Sequence, residues 1–359
     1  MKIAVYAICK NEENFAKRWY NSMKEADGIF VCDTGSDDNT IDILKDLGVN
    51  VKKINIEPWR FDDARNESLN FVPDDYDICV CTDLDEVFSK GWRKELENNW
   101  TTVTTKASYN YIWNFDDNDN PKTSFYIEKI HSRHGYKWVH PVHEILEYTE
   151  CKEEKTITIN SITLKHYPDS TKSRAQYLPL LELSVKEQPL DDRNTHYLGR
   201  EYMFNKRYDK AIKTLQHHLK LPTSTWKDER CASMRYIARC YEALNKNSNT
   251  YKWYIKAVSE APYLREPYIE LAYFSYKNKM YFLALHCIEM ALNIKSKPIS
   301  YINESFCWDE TPYDIASLCA YNLGLYDKSL KYIEEALKIN PNNQRLKDNN
   351  KIIKELIDF

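Results

Sequence analysis

Glycine is scarce, at seven residues in 359. So few leave little room for glycine-rich phosphate loops or for many tight hairpins, which need backbone conformations that other residues resist. Long apolar runs are missing too, and none approaches the roughly 20 residues of a membrane-spanning helix. The opening Met1-Lys2-Ile3-Ala4-Val5-Tyr6 enters a strand pattern directly, without the apolar stretch of a secretory leader. Neither charge sign is in excess: 50 Lys and Arg stand against 54 Asp and Glu, a net charge of −4. No overall basic field therefore favours nucleic acid as a partner. The ten cysteines have no zinc-type spacing, and the close pair Cys79 and Cys81 falls inside an apolar run. Reduced, structural thiols in a soluble cytoplasmic protein are the expectation.

What remains is a globular balance. Hydrophobic residues make up 43% and charged residues 29%, enough to fold two domains with full cores. Tyrosine is abundant at 27, a residue that helical repeats use for packing.

The first half alternates strands and helices. Ile3 to Ile8 reads as a buried strand, and Asn11 as the cap of a helix with Glu12 and Glu13 in its first turn. Gly28 to Cys32 is a second strand, followed by the turn Asp33-Thr34-Gly35-Ser36-Asp37-Asp38-Asn39-Thr40 and a helix through Leu47. Val49 to Ile56 reads as a strand and Phe61 to Phe71 as a helix carrying Ala64-Arg65-Asn66. A fourth strand, from Tyr76, ends in Thr82-Asp83-Leu84-Asp85-Glu86. Such alternation predicts a parallel, doubly wound sheet with its ligand beyond the carboxyl ends of the strands. In an extended chain Asp83 and Asp85 would present both carboxylates to one side, an arrangement suited to a hard divalent ion shared with a diphosphate. Four polar clusters, at Lys10–Glu13, 33–40, 64–66 and 83–86, fall at that one edge.

In their order and spacing these four segments resemble the family 2 glycosyltransferases of the GT-A fold over about the first 100 residues. The resemblance implies a nucleotide-sugar donor, a Mn²⁺ or Mg²⁺ ion, and inversion at the anomeric carbon. It would place Glu12 and Asp33 on the base and ribose, and Arg65 near the diphosphate or base. Asp83 would lie near the ribose and metal, and Asp85 on the metal. Capping of the following helix is an equal alternative for Asp37 and Asp38, and a surface salt bridge is one for Arg65.

Sugar transfer also needs a base for the acceptor on the far face of the sugar. Lys106 to Phe115 and Thr123 to Ile130 read as strands, joined by a turn whose acids, Asp116, Asp117 and Asp119, serve the turn. Beyond them come Val142-His143-Glu144 and, after the strand Ile157 to Leu164, Lys165-His166-Tyr167. This pattern, continued by a helix like Lys172 to Leu178, is similar to the branch that includes lipopolysaccharide-core glucosyltransferases. On that resemblance Glu144 is the general base and His166 an additional metal or phosphate ligand, with His143 able to play either part. His131, His134 and His140 read as ordinary surface or hydrogen-bonding histidines. Many members place an acidic pair further along as the base; Glu182, Asp191 and Asp192 here read as solvated.

From about residue 190 the periodicity becomes helical. Leu198-Gly199, Tyr202, Ala211, Leu215 and Pro222 have the small–aromatic–small spacing of a tetratricopeptide unit. The pattern returns at Ala238, Ala272 and Ser317, at spacings of 39, 34 and 45 residues. The stretch Lys297 to Asp309, with Phe306 and Trp308, reads as an insertion that packs back on the array or serves as a functional loop. Lys338 to Phe359 reads as an end cap, helical over Lys347–Leu356. The expected architecture is an α/β GT-A domain over residues 1–190 and an all-α tetratricopeptide-like domain over 191–359.

Three functions follow from these features. The first is a metal-dependent inverting transferase moving a sugar, UDP-linked by family habit, to a glycan, peptide or protein acceptor. Its repeats would bind the acceptor, a protein partner or a second copy. The second is a non-catalytic repeat scaffold with a degenerate glycosyltransferase domain. The third, a nucleotidyltransferase, lacks its glycine-rich basic opening loop.

Overall fold

The computed structural model describes residues 1–116, 119–169 and 175–357. Its chain divides into two compact units, Met1–Ser184 with Ile299–Tyr301, and Val185–Pro298 with Ile302–Phe359.

The first unit opens with β1 (Ile3–Cys9), α1 (Glu13–Met23), β2 (Gly28–Asp33), α2 (Thr40–Asp46), β3 (Asn50–Lys53), α3 (Phe61–Asn70) and β4 (Ile78–Cys81). β1 is parallel to both β2 and β4, and β2 is parallel to β3. Every residue of β4 is buried, as is nearly all of β1, which accounts for their continuous apolar sequence. After β4 come β5 (Glu86–Phe88), α4 (Trp92–Asn99), β6 (Lys106–Phe115), β7 (Pro121–Ser132), β8 (Tyr136–Val139), β9 (Ile145–Tyr148), β10 (Thr156–His166) and α5 (Tyr177–Glu187). The expected parallel pairing holds for β1 to β4, and the sheet as a whole is mixed. β7 runs antiparallel to β4 and β6, and β5 antiparallel to β10. The sheet is mixed because β6 returns directly as a hairpin, with no crossover helix to reverse the chain. Asp116 shapes that turn by accepting from Asn120 N at 2.8 Å; Asp117 lies outside the described residues.

The strand order is β3-β2-β1-β4-β7-β6-β10-β5, with β8 and β9 as a separate pair. β4 and β5 are four places apart, yet only residues 82–85 join them. In a flat sheet the gap would be about 19 Å. Five residue steps reach at most about 18 Å when fully extended. The joining segment is not extended, since Glu86 N donates to Asp83 O at 3.0 Å in a turn. The sheet must curl into a half-barrel, and residues 82–85 cross its open side.

The second unit is helical throughout: α6 (Asp192–Phe204), α7 (Tyr208–His218), α8 (Lys227–Ala243), α9 (Asn247–Glu260), α10 (Glu266–Lys277), α11 (Tyr281–Asn293), α12 (Thr311–Asn322), α13 (Tyr326–Ile339) and α14 (Gln344–Ile357). They form four hairpins and a last helix. In each hairpin the first helix ends the same way. Lys206, Asn245, Lys279 and Gly324 adopt φ between 56° and 72°. The next residue donates its N–H back five positions, as Arg207 N does to Tyr202 O at 2.8 Å and Leu325 N to Ala320 O at 2.9 Å. These are Schellman caps, and a chain short of glycine makes three of the four with Lys or Asn. Small residues let the paired helices close up: a Cβ on Gly199 would stand 2.5 Å from Leu215 Cδ2, and Ser317 and Ser329 exchange hydroxyl-to-carbonyl bonds at 2.9 Å. The later part of the insertion, from Glu304 to Trp308, packs back on the helical unit, while Ile299–Tyr301 group with the first unit. Glu304 accepts from Arg235 and Arg239 at 2.8 and 2.7 Å, and Arg265 lies 3.9 Å over the Trp308 ring. Among the described residues no helix is long and apolar enough to cross a membrane.

Candidate functional site

The carboxyl ends of β1 and β2 carry the first polar cluster. Asp33 is fully buried and bound by its own loop: Oδ1 accepts from Gly35 N and Ser36 N at 3.0 Å each, and Ser36 Oγ donates to Oδ2. Asn11 does not cap α1. Its φ is 54°, its N–H donates to Ser36 Oγ at 2.9 Å, and its Oδ1 accepts from Asp37 N at 2.9 Å. Asp38 serves two helix starts, accepting from Thr40 N at 3.0 Å and Glu13 N at 3.1 Å. Burial pushes its carboxyl up, but these donors outweigh it and leave it below the ordinary value. Glu12 N donates to Thr40 Oγ1 at 2.7 Å, fixing Glu12 beside that loop.

The second cluster lies beyond β4. The expected extended presentation of Asp83 and Asp85 is corrected, because the turn at 83–86 sends them to different partners. Asp83 meets Arg65 Nη2 at 2.9 Å and Lys129 Nζ at 3.2 Å. Arg65, on α3 and 5% exposed, also donates through Nε to Glu144 Oε1 at 2.5 Å. A surface salt bridge is thus excluded for Arg65; it ties Asp83 and Glu144 together from beneath. Burial raises the Asp83 carboxyl, yet the Arg65 and Lys129 charges overcome this and hold it well below the usual carboxylate range. Asn66 has a structural task, pairing through both amide atoms with the Trp138 backbone at 2.8 and 2.9 Å. Glu144 follows two non-glycine residues in the left-handed region, His140 (φ 79°) and His143 (φ 52°). Such conformations each cost about 1–3 kcal/mol and gather at functional sites.

Asp85 faces β10. Its Oδ2 is 3.3 Å from His166 Nε2, while His166 Nδ1 lies 3.0 Å from the Trp113 carbonyl. Two ligand atoms about 3 Å apart suit adjacent positions on one divalent ion. A histidine whose other nitrogen donates to a carbonyl is held as metal-binding histidines are. As placed, Asp85 and His166 pair with each other: burial lowers the His166 imidazole, but the bond to Asp85 outweighs it and holds it above its ordinary value, so an ion would have to displace the proton between them. Asp83 is committed to two cations and fits less well.

Residues that the sequence did not single out complete the cluster. Lys129 on β7 bridges Asp83 to Glu86 Oε1 at 3.2 Å, and Tyr111 OH donates to the same oxygen at 2.8 Å. Burial raises the Glu86 carboxyl. The Trp113 ring stacks on His166 at 4.4 Å and is 43% exposed. The signal for Lys129 was a cation interrupting the apolar end of a strand. Of the remaining histidines, His131 is fully buried with Nε2 2.8 Å from Tyr6 OH, His140 is buried and His134 exposed. Asp191 caps α6 by accepting from Asn194 N at 2.8 Å. Of the helix expected over 172–178, residues 172–174 lie outside the described residues, and α5 begins at Tyr177.

A separate group of donors sits in the second unit. One donor atom each from His196, His218 and Glu229 lie within 4.8 Å of one another, and all three residues are buried. It is the cluster of this kind among the described residues, and it could chelate a metal ion.

Comparison with known proteins bears on each part. No curated protein matches the chain. Similar solved structures include MamA, 17% identical over 50% of this chain and 99% of that one, with a TM-score of 0.39. Another is YrrB, titled a TPR protein with an unusual peptide-binding site, 13% identical over 50% and 84%, with a TM-score of 0.40. A third is pilF of Pseudomonas aeruginosa, 13% identical over 47% and 70%, with a TM-score of 0.38. Residues 4–143 match the family described as Glycosyl transferase family 2, and residues 313–343 match the tetratricopeptide repeat.

Proposed function

We propose that residues 1–190 form a glycosyltransferase that moves a sugar, with inversion, from a nucleotide-sugar donor to a glycan, peptide or protein acceptor. The observation that carries this is the meeting of Asp83, Glu144 and a buried Arg65 in one network beside the Asp85–His166 pair. Glu12 and Asp33 take the base and ribose, Arg65 lies near the diphosphate or base, and Asp83 near the ribose and metal of a donor, UDP-linked in the first instance. Asp85 and His166, with Asp83 at the rim, hold Mn²⁺ or Mg²⁺. When bound, such an ion would supply charge to the departing nucleoside diphosphate. Arg65 grips Glu144 Oε1 and so orients the carboxylate; its other oxygen receives the acceptor's proton. The repeats at 191–359 engage the acceptor or a partner protein.

Two findings favour a second reading, and they favour it better than transfer. Asp83 is already neutralised by Arg65 and Lys129, and the three-donor cluster among the described residues lies in the repeat unit instead. They support a repeat scaffold whose glycosyltransferase-like unit does not turn over. Calorimetric titration of UDP- and GDP-sugars with and without Mn²⁺ separates the two. Transfer requires metal-dependent binding that Asp85→Ala removes, and slow donor hydrolysis that Glu144→Gln removes while binding persists. Failure of every nucleotide to bind leaves the scaffold.

A further inference from the structure

We infer that the repeat unit contains a structural metal site for a zinc-class ion, built from His196, His218 and Glu229 and independent of the chemistry proposed for the first unit. The three come from three successive helices, α6, α7 and α8, and are 1%, 0% and 4% exposed. His218 Nε2 stands 3.2 Å from Glu229 Oε1. Two donors on one tetrahedral zinc are about 3.4 Å apart, so that pair is already at ligand spacing. With all three donors inside 4.8 Å, closing the set takes a shift of at most about 1.4 Å.

The surroundings are those of ligating histidines. Ser233 Oγ lies 2.7 Å from His196 Nδ1 and 2.9 Å from His218 Nδ1, so one hydroxyl orients both rings through the same nitrogen. The opposite nitrogen of His196, Nε2, is buried without a hydrogen-bond partner. Ser224 Oγ, 3.1 Å from His218 Nε2, marks where a hydroxyl or water completes four-coordination. Two imidazoles and one carboxylate select zinc-class ions over Mg²⁺ or Ca²⁺. Closed inside the unit, the ion would staple the first hairpin to the second.

The test uses the full chain carrying Asp85→Ala and His166→Ala, which silences the other candidate site. After chelator treatment it is titrated with Zn²⁺ and with Co²⁺ as a spectroscopic substitute. The expected result is one equivalent bound, a tetrahedral Co²⁺ visible band, a raised unfolding temperature with Zn²⁺, and at least tenfold weaker binding in His196→Leu and Glu229→Gln. No stoichiometric uptake, or uptake unchanged in folded variants, overturns the site. Should the variants fail to fold, the Co²⁺ spectrum decides: a tetrahedral band supports the site, and a weak octahedral one overturns it.

Discussion

Replacing Arg65 by Met keeps much of the side chain's volume and removes its charge. Two carboxylates then lose their partner: Glu144, 12% exposed in its side chain, and Asp83, 35% exposed. Breaking a buried ion pair by removing one member costs about 3–5 kcal/mol. Asp83 keeps Lys129 at 3.2 Å and has solvent on one side, so its share is discounted and Glu144 dominates. The expected loss is about 3 kcal/mol, at the low end of that range. For a unit of this size that lowers the melting temperature by about 6–12 °C. Urea unfolding of Arg65→Met, Glu144→Gln and the double variant gives the pair's own term, expected near 2 kcal/mol. A loss below about 1 kcal/mol for Arg65→Met, the level of an exposed pair, would refute a buried network here.

Two further predictions concern other parts of the chain. Burial lowers the His131 imidazole to about 4. The unfolded chain therefore takes up this proton first, and folding weakens by up to about 3 kcal/mol as pH falls from about 6.5 to 4. His131→Asn should flatten that part of the urea-midpoint profile, and a profile of unchanged slope would contradict it. Gly199→Ala gains about 1 kcal/mol of helix propensity, but its Cβ meets Leu215 at 2.5 Å, an overpacking of about 1–3 kcal/mol. A net loss of about 1 kcal/mol is expected from chemical denaturation; net stabilisation would mean the helices stand further apart.

The repeat array was legible because its signals are local. A small residue near the middle of each first helix and a turn a few residues on recur wherever the hairpin does. Much of the first unit was legible for the same reason, β1, β2, β6 and α3 falling where their patterns lie. The site was legible in membership more than in geometry. Arg65, Asp83 and Glu144 do meet, yet Asp83 and Asp85 part company because residues 83–86 turn. Asn66 pairs with a backbone 72 residues away, and nothing beside Asn66 in the sequence announces that. The mixed sheet was hidden likewise, since β5 pairs with β10 and no local pattern reports strand order.

The short crossing from β4 to β5 works as a drawn bowstring on the curled sheet. Its length fixes how far the two ends of the bow can spread, so the carboxylates on it move only if the bow itself opens. An added residue between Thr82 and Glu86 would slacken the string while sparing every buried side chain of β4. Such an insertion would separate the positional accuracy of the acidic span from the stability of the unit that carries it.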